Sequence, residues 1–197
     1  MSTTKPKPNA KNLVWLDLEM SGLDPEKEGI IEIATIITDG ELNVLAEGPD
    51  LVIHQEDALM QAMDDWNVKQ HAKSGLTEAV KISKVTLEEA EAETIAFVKK
   101  YCLPKQAPLC GNSIHHDRRF LIKYMPKLNE FLHYRHVDVT TVKALVQRWY
   151  PDIKRQYPRK NENHRAMGDV RDSIKEMNYL RERFFLSPAQ AANVQIS

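Results

Sequence analysis

The sequence contains little cysteine and almost no net charge. Cys102 and Cys110 are its two cysteines, and their spacing fits neither a metal-ligand pattern nor a redox motif. A chain of 197 residues, 42% of them hydrophobic, can bury a sizeable core without a disulfide, so both thiols are expected to be reduced and buried. Lys and Arg number 27 against 28 for Asp and Glu. This balance argues against a broadly basic surface for gripping long nucleic acid, but it allows a small charged substrate held locally.

Long apolar runs are also missing. The opening residues, MSTTKPKPNAKN, contain no apolar segment of the kind found in a secretory signal. No stretch approaches the roughly 18 apolar residues that a membrane span needs. Nothing in the sequence supports an organellar targeting segment. We therefore expect a soluble cytoplasmic protein with no membrane partner.

The length predicts one domain rather than two. Residues 1–11 are polar and rich in Pro and Lys, and we expect them to form a flexible tail. Residues 12–186 are predicted to form the single domain. Residues 187–197, SPAQAANVQIS, are predicted to form a second tail or a segment that docks elsewhere.

The first third of the sequence predicts three strands. They are LVWLDLEM, the β-branched run IIEIATIIT, and VLAEGPDLVIH. The connections SGLDPEKEG and DGELN are typical of turns. Three consecutive strands with short connections predict an antiparallel meander.

The remainder predicts mostly helices, with two further short strands in APLCGN and HVDV. Thr86 and Glu89 form a capping-box pattern before a helix with apolar spacing to Tyr101. Two more helices are predicted at residues 117–125, before Pro126, and 140–149. An apolar stripe then predicts the last helix, at Val170, Ile174, Met177 and Phe184. The fold class is therefore α/β, a mixed sheet flanked by helices.

Two acids interrupt the apolar strand LVWLDLE. Asp17 and Glu19 are two residues apart, so on a strand both side chains face the same way. Two carboxylates that close repel each other, and a divalent cation that binds both removes the repulsion. The alternative, a strand edge with two solvated acids, stays open from this pair alone.

Two further acids lie where the chain changes structure. Asp117 follows the strand-like PLCGNSI at the start of a predicted helix. In HRAMGD, His164 precedes Asp169 by five residues, which on a helix would set the two side chains about 140° apart. For both to face one site, His164 must lie on the loop before the helix and Asp169 in its first turn, where the helix dipole favours a carboxylate.

The chemistry of this set points to hard cations. Four carboxylates without clustered Cys or His ligands suit Mg²⁺ or Mn²⁺ rather than zinc. Four acids fit a two-metal site, with ions about 3.5–4 Å apart, that activates water and stabilises the leaving oxygen of a phosphodiester. A lone His is usually an ordinary surface or core residue. Because His164 lies beside a candidate metal acid, we interpret it as the base that takes a proton from water.

At these residues the chain resembles the DEDDh family of 3′→5′ exonucleases, which have a ribonuclease H-like fold. The Asp-x-Glu strand, the Asp after a strand and the His-x4-Asp element are all present. From about residue 12 to 186 the chain is similar to the oligoribonucleases within that family. The similar stretches are NLVWLDLEMSGLDPEKEGIIEIATIITD, MDDWNVKQHAKSGL, GNSIHHDRRFL, YRHVDVTTVK and HRAMGDVRDSI.

The resemblance implies a reaction. Very short RNAs, chiefly dinucleotides, would be hydrolysed from the 3′ end to nucleoside 5′-monophosphates by a homodimer that uses two divalent cations. His164 would be the general base. The metal ligands would be Asp17, Glu19, Asp117 and Asp169.

The resemblance also implies contacts with the two bases and the scissile phosphate. Leu23, in EMSGLD, is similar to a wedge between the bases; a turn Leu packed on the core is the alternative. Trp66 and His71, in DDWNVKQH, are similar to contacts with a base and with the scissile phosphate. Trp66 could instead pack in the core, or do both.

A cap on the 5′-phosphate is implied in the same way. Ser113, Arg135 and Thr140 resemble such a cap, in which Arg can form paired hydrogen bonds to phosphate. A third nucleotide would collide with it, which would limit substrate length. Tyr134 resembles a contact from the partner subunit of the dimer. For Arg135 a solvated surface charge is the alternative.

Some residues depart from the family pattern. Gly168 stands where an Asp is common, so the spacing assigns the ligand to Asp169 and an accessory acid is lost. Gly early in a helix also costs up to about 1 kcal/mol. Thr140 replaces the usual Ser and keeps the hydroxyl. His115 and His116 are unusual, and we assign them no role. A basic run, either a solvated loop or an aid to attracting phosphates, comprises Lys154, Arg155, Arg159 and Lys160.

Two other functions stay open. An exonuclease that trims or proofreads longer RNA or DNA would share the acids and differ in the pocket, at Ser113, Arg135 and Thr140. A nucleotide-binding or scaffolding protein that has lost catalysis is the other, although all five catalytic positions are filled.

Overall fold

The structure is a computed structural model in which residues 7–153, 157–158 and 165–194 are described. Five strands in this part of the chain form one sheet. In chain order they are β1 (Leu13–Met20), β2 (Ile30–Thr38), β3 (Val44–Val52), β4 (Leu109–Gly111) and β5 (His136–Asp138).

The sheet is mixed. Its strand order is β3-β2-β1-β4-β5, with β1–β2 and β2–β3 antiparallel and β1–β4 and β4–β5 parallel. The predicted antiparallel meander and the predicted mixed α/β sheet are both confirmed. Because β1, β4 and β5 run in the same direction, their carboxyl ends meet at one edge, where open α/β sheets place ligands.

Helices cover both faces of the sheet. Those in the described residues are α1 (Asp57–Gln61), α2 (Asp65–Lys73), α3 (Leu76–Ile82), α4 (Leu87–Val98), α5 (His115–Tyr124), α6 (Pro126–Phe131), α7 (Val139–Trp149), α8 (Ala166–Phe184) and α9 (Pro188–Ala192).

Successive side chains of β1 point to opposite faces of the sheet, and each face has its own part of the core. Val14, Leu16 and Leu18 pack with α4, α5 and α6 on one face. Trp15 lies on the other face, in a cluster with α7 and α8, and its indole N–H donates to Thr38 Oγ1 at 2.9 Å. Side chains two residues apart share a face of a strand, so the acids that follow Trp15 at two-residue intervals face α8.

Several local predictions are confirmed. Thr86 and Glu89 form the capping box at the start of α4, and both cysteines are free and buried. The predicted helix end before Pro126 is right, since α5 ends at Tyr124. A new helix, α6, begins at Pro126 itself, because a first helical position needs no N–H donor.

The differences concern short elements. Helix α5 begins at His115, two residues before the predicted start, and α4 ends at Val98 rather than Tyr101. Helices α1, α2 and α3, of 5, 9 and 7 residues, have no individual counterpart among the predicted helices. Capping stabilises α2, where the side chain of Asp64 accepts from the backbone N–H of Asn67.

Hydrogen bonds occur near the first and the last described residues. The backbone N–H of Asn9 and the side-chain amide of Asn12 donate to the carbonyl of Tyr101, at 2.9 and 2.8 Å. The short helix α9 begins with a capping box between Ser187 and Gln190. The domain limits at residues 12 and 186 stay predictions. Among the described helices, none combines the length and the apolar character needed to cross a membrane.

Candidate active site

Three of the predicted acids meet at one point. One carboxylate oxygen from each of Asp17, Glu19 and Asp169 lies within 4.8 Å of the others. Asp17 and Glu19 follow Trp15 on the side of β1 that faces α8. Asp169 lies in the first turn of α8, as predicted. Such a cluster forms only if the face of β1 that carries Asp17 and Glu19 meets the first turn of α8. Packing of the apolar core fixes both the face of the strand and the position of the helix.

The fourth acid, Asp117, reaches the same edge from the first turn of α5. Its Oδ1 accepts from the backbone N–H of Leu18 at 2.9 Å, and only 5% of the residue is exposed. This bond can form because β4 pairs with β1 only at Val14 and Trp15. Strand β1 therefore extends beyond β4, and the backbone N–H of Leu18 in this extension donates to the carboxylate of Asp117.

Burial and mutual repulsion both disfavour ionisation of these acids. Burial, followed by the charges of Asp117, Glu19 and Asp169, raises the pKa of Asp17 well above its ordinary value. Burial and Asp169 raise the pKa of Glu19 to about 8, and burial raises the pKa of Asp117 to about 7 despite the hydrogen bond from Leu18. Crowded carboxylates of this kind fit divalent cations with a preference for oxygen ligands, such as Mg²⁺ or Mn²⁺.

A cavity of about 450 Å³ opens beside Glu19. Leu23 and Trp66 both line it and are 60% and 65% exposed. Neither side chain is packed in the core, which was the alternative for each of them. Two large apolar side chains held at the mouth of a cavity next to the acids are available to stack on or separate planar groups.

His71 lies next to Met20 and Glu19, two residues that line the cavity. It is buried on α2, and its Nε2 is 3.0 Å from the carbonyl oxygen of Met20. Because a carbonyl only accepts hydrogen bonds, Nε2 carries the proton. The other ring nitrogen, Nδ1, is 4.0 Å from a carboxylate oxygen of Glu19. The imidazole is thus oriented by the Met20 carbonyl, with Nδ1 towards Glu19 of the acidic cluster.

Ser113 and Thr140 are brought together by the ends of β4 and β5. Their hydroxyl oxygens are 3.2 Å apart, and the backbone N–H of Ser113 donates to Thr140 Oγ1 at 3.0 Å. Asp138 accepts at Oδ1 from the backbone N–H groups of both residues, at 3.0 and 2.8 Å. Ser113 has φ of 49°, in the left-handed region, so these bonds stabilise an uncommon backbone conformation.

Tyr134 and Arg135 lie on the segment that leads into β5. Both are exposed, and the guanidinium carbon of Arg135 is 5.3 Å from the centre of the Tyr134 ring. Their predicted contacts with substrate and with a partner subunit stay predictions. His164 and the basic run that contains Arg155 and Arg159 fall outside the described residues.

Sequence reasoning missed three polar residues around the site. Asp138 joins Ser113 to Thr140, and Asn112 accepts from the Thr140 hydroxyl at 3.2 Å. Glu32 is completely buried in β2 opposite Glu19. The position of Asp138 near the carboxyl end of the predicted strand HVDV was a usable signal. Glu32 is the single acid in the run IIEIATIIT, with no second acid two residues away to mark a shared site.

Comparison with solved structures identifies the fold. Exonuclease I from Methylocaldum szegediense is 18% identical with a TM-score of 0.66, and the zinc-bound E. coli ExoI–ssDNA complex is 16% identical with a TM-score of 0.71. Both comparisons cover 88% of this chain and 41% of the other. The chain therefore spans about two fifths of those exonuclease I chains and shares the fold of that part.

Comparison of sequences is more specific. The exonuclease family (RNase T) matches residues 14–177. The oligoribonuclease of Marinobacter nauticus is 54% identical over 177 residues, covering 90% of this chain and 98% of the relative. That of Halorhodospira halophila is 52% identical, covering 90% and 97%. That of Coxiella burnetii is 56% identical, covering 86% and 92%. The chain belongs to the exonuclease family and, within it, to the oligoribonucleases.

Proposed function

We propose that the protein is a 3′→5′ exoribonuclease that degrades very short RNAs, chiefly diribonucleotides, to nucleoside 5′-monophosphates. The observation that carries the proposal is the meeting of Asp17, Glu19 and Asp169 within 4.8 Å, with Asp117 of α5 hydrogen-bonded to Leu18 of the same strand, β1. The name shared by the relatives, oligoribonuclease, supports the substrate class.

Two divalent cations, Mg²⁺ or Mn²⁺, are the proposed cofactors. Asp17, Glu19, Asp117 and Asp169 would hold them, and their crowding supports this assignment because cations would relieve the repulsion among the carboxylates. Bound divalent cations supply activation of water and stabilisation of charge on the leaving oxygen of a phosphodiester. The protein contributes a rigid arrangement of oxygen ligands on β1, α5 and α8.

His164 is the proposed general base. It directly precedes Arg165 and α8, the helix that carries Asp169. An imidazole with an ordinary pKa of about 6.5 can take a proton from water near neutral pH.

The cavity beside Glu19 supports the proposed binding of bases. Leu23 would separate the two bases, Trp66 would stack on one of them, and His71 would face the scissile phosphate. Contact of a base with these exposed apolar side chains would remove apolar surface from water, which favours binding.

A phosphate cap is the proposed reason for the length limit. The hydroxyls of Ser113 and Thr140 are hydrogen-bonded to each other, and the guanidinium of Arg135 would add two positively charged N–H donors for the 5′-phosphate. A chain longer than two nucleotides would have to displace this cap. The homodimer, in which Tyr134 would reach the neighbouring site, and the cytoplasmic location stay predictions.

A length series tests the proposal. Purified protein is incubated with 5′-phosphorylated RNAs of two to seven nucleotides in Mg²⁺, with and without a chelator. We expect dinucleotides to be hydrolysed fastest, 5′-monophosphates to be released from the 3′ end, and the chelator to stop the reaction. If the longer chains disappear as fast as dinucleotides, the capped pocket is wrong and the alternative of trimming longer nucleic acid is favoured.

A further inference from the structure

A fully buried carboxylate lies next to the acidic cluster and has no part in the proposed mechanism. Glu32, on β2, is 0% exposed and stands directly opposite Glu19 in the pairing of β1 with β2. Its Oε1 accepts from Arg165 Nε at 2.7 Å, and its Oε2 accepts from the backbone N–H of Ala166 at 3.0 Å. Burying a charge is costly unless it is paired and hydrogen-bonded, and here both conditions are met.

These bonds fall at the start of the helix that carries Asp169. Arg165 is the N-cap residue of α8 and makes no side-chain cap of its own. Glu32 supplies the missing acceptor from a neighbouring strand, and its negative charge suits the positive end of the helix dipole. Asp169 follows Ala166 by three residues, in the same first turn. The carboxylate of Glu32 therefore joins the sheet, which carries Asp17 and Glu19, to the first turn of α8, which carries Asp169.

We infer that Glu32 and Arg165 are a positioning pair that holds the first turn of α8, and with it Asp169, in place for binding a divalent cation. The inference rests on the proposed function. Neither residue is a metal ligand in this account. They act through Asp169, much as outer hydrogen bonds orient metal ligands in other proteins.

Two simpler explanations predict different results. If the pair acts only through its charges, the anion Glu32 favours a nearby cation and the cation Arg165 opposes it. Removing Glu32 would then weaken cation binding, and removing Arg165 would strengthen it. If the pair only stabilises the fold, both removals would lower Tm without changing the cation affinity of the folded protein. Positioning predicts that both removals weaken cation binding.

Glu32→Gln and Arg165→Gln test these explanations. The Glu32→Gln substitution leaves one acceptor oxygen in place of two, so an NH2 group faces either the guanidinium of Arg165 or the N–H of Ala166. Calorimetric titration with Mn²⁺, the Mg²⁺ concentration for half-maximal dinucleotide hydrolysis, and Tm without metal are measured for each variant. We expect the Mn²⁺ Kd and the Mg²⁺ requirement to rise about 10-fold in both.

Glu47→Gln is the matched control. Glu47 on β3 accepts two hydrogen bonds from Arg171, six residues after Arg165 in the second turn of α8, so this variant also breaks an Arg–Glu pair between helix and sheet. Both residues of that pair are about half exposed, and its arginine lies in the second turn of α8 rather than the first. Its Mn²⁺ Kd is expected to stay at the wild-type value.

The outcomes separate the inference from the proposed function. A lower Mn²⁺ Kd in Arg165→Gln, or unchanged Kd with lower Tm in both variants, overturns the inference. If a single variant does not fold, the double variant Glu32→Gln/Arg165→Met is used, because it removes both charges. The double variant is expected to fold and to bind Mn²⁺ more weakly than the wild type. Wild-type affinity for Mn²⁺ in the double variant also overturns the inference. Failure of the wild-type protein to bind Mn²⁺ overturns the proposed function itself.

Discussion

The carboxylate of Asp117 is hydrogen-bonded to the backbone N–H of Leu18, at 2.9 Å, in the strand that carries Asp17 and Glu19. A side chain from α5 is thereby fixed to β1 by a bond that does not depend on a cation. The fourth acid is held in place before any metal binds, which reduces the ordering that binding would otherwise require.

This relationship predicts that Asp117→Asn keeps the fold and loses the activity. The amide oxygen can still accept from Leu18, and one of the mutually repelling carboxylates is gone, so Tm without metal should equal or exceed that of the wild type. Loss of one anionic ligand should lower kcat/KM for a dinucleotide by about 100-fold, equivalent to about 3 kcal/mol.

Asp117→Ala is the companion variant, measured by thermal unfolding in the same buffers. It leaves the buried N–H of Leu18 without its acceptor, at a cost of about 1–3 kcal/mol. Its Tm should lie below that of Asp117→Asn. Equal loss of Tm in both variants, or full activity in Asp117→Asn, contradicts the assignment.

The stability of the metal-free protein should fall as pH rises. The pKa of Glu19 is raised from 4.5 to about 8 in the folded chain, and that of Asp117 from 3.8 to about 7, so the folded state binds more protons than the unfolded state between these values. Stability therefore decreases with pH across this window. Because a cation displaces these protons, Mg²⁺ should raise Tm more at pH of about 8 than at about 5.

Thermal unfolding across that pH range, with chelator and with Mg²⁺, checks the prediction. Glu19→Gln removes one of the raised groups, so it should flatten the pH dependence of the metal-free protein. An increase of Tm by Mg²⁺ that is the same at every pH would be the contrary result.

Thr140→Val should reduce the selectivity for dinucleotides. The substitution keeps the shape of the side chain but removes the hydroxyl that accepts from Ser113 and donates to Asn112. We expect kcat/KM for a 5′-phosphorylated dinucleotide to fall about 10-fold relative to that for a heptanucleotide. Thr141→Val, at the next, exposed position of α7, is the control and should leave the ratio unchanged. If Thr140→Val leaves the ratio of the two kcat/KM values unchanged, Thr140 has no part in a phosphate cap.

Leu23→Ala should weaken substrate binding without affecting the fold. Leu23 is 60% exposed at the cavity beside Glu19, so its truncation removes little buried surface and Tm should change little. KM for a dinucleotide should rise because the bases lose an apolar contact. Ile122→Ala, with 57% exposure on α5, is the matched control. A KM that does not distinguish the two variants would leave Leu23 without the role proposed for it.

Three of the acids, Asp17, Glu19 and Asp169, were predictable because each follows a local rule. Asp17 and Glu19 share a face because strands have a period of two, and Asp169 falls in the first turn because its helix begins at Ala166. Glu32 was not predictable, since β2 is buried along its whole length and shows no alternation that would mark a polar position. The partnership of Glu32 with Arg165 joins residues 133 positions apart, and it follows from packing rather than from any local pattern.

Anomalous diffraction from crystals soaked in Mn²⁺ tests the central claim most directly. We predict two anomalous peaks among the carboxylates of Asp17, Glu19, Asp117 and Asp169 in the wild-type protein, and loss of at least one in Asp17→Asn. Well-ordered crystals with the four carboxylates in place and no anomalous peak between them would contradict the account.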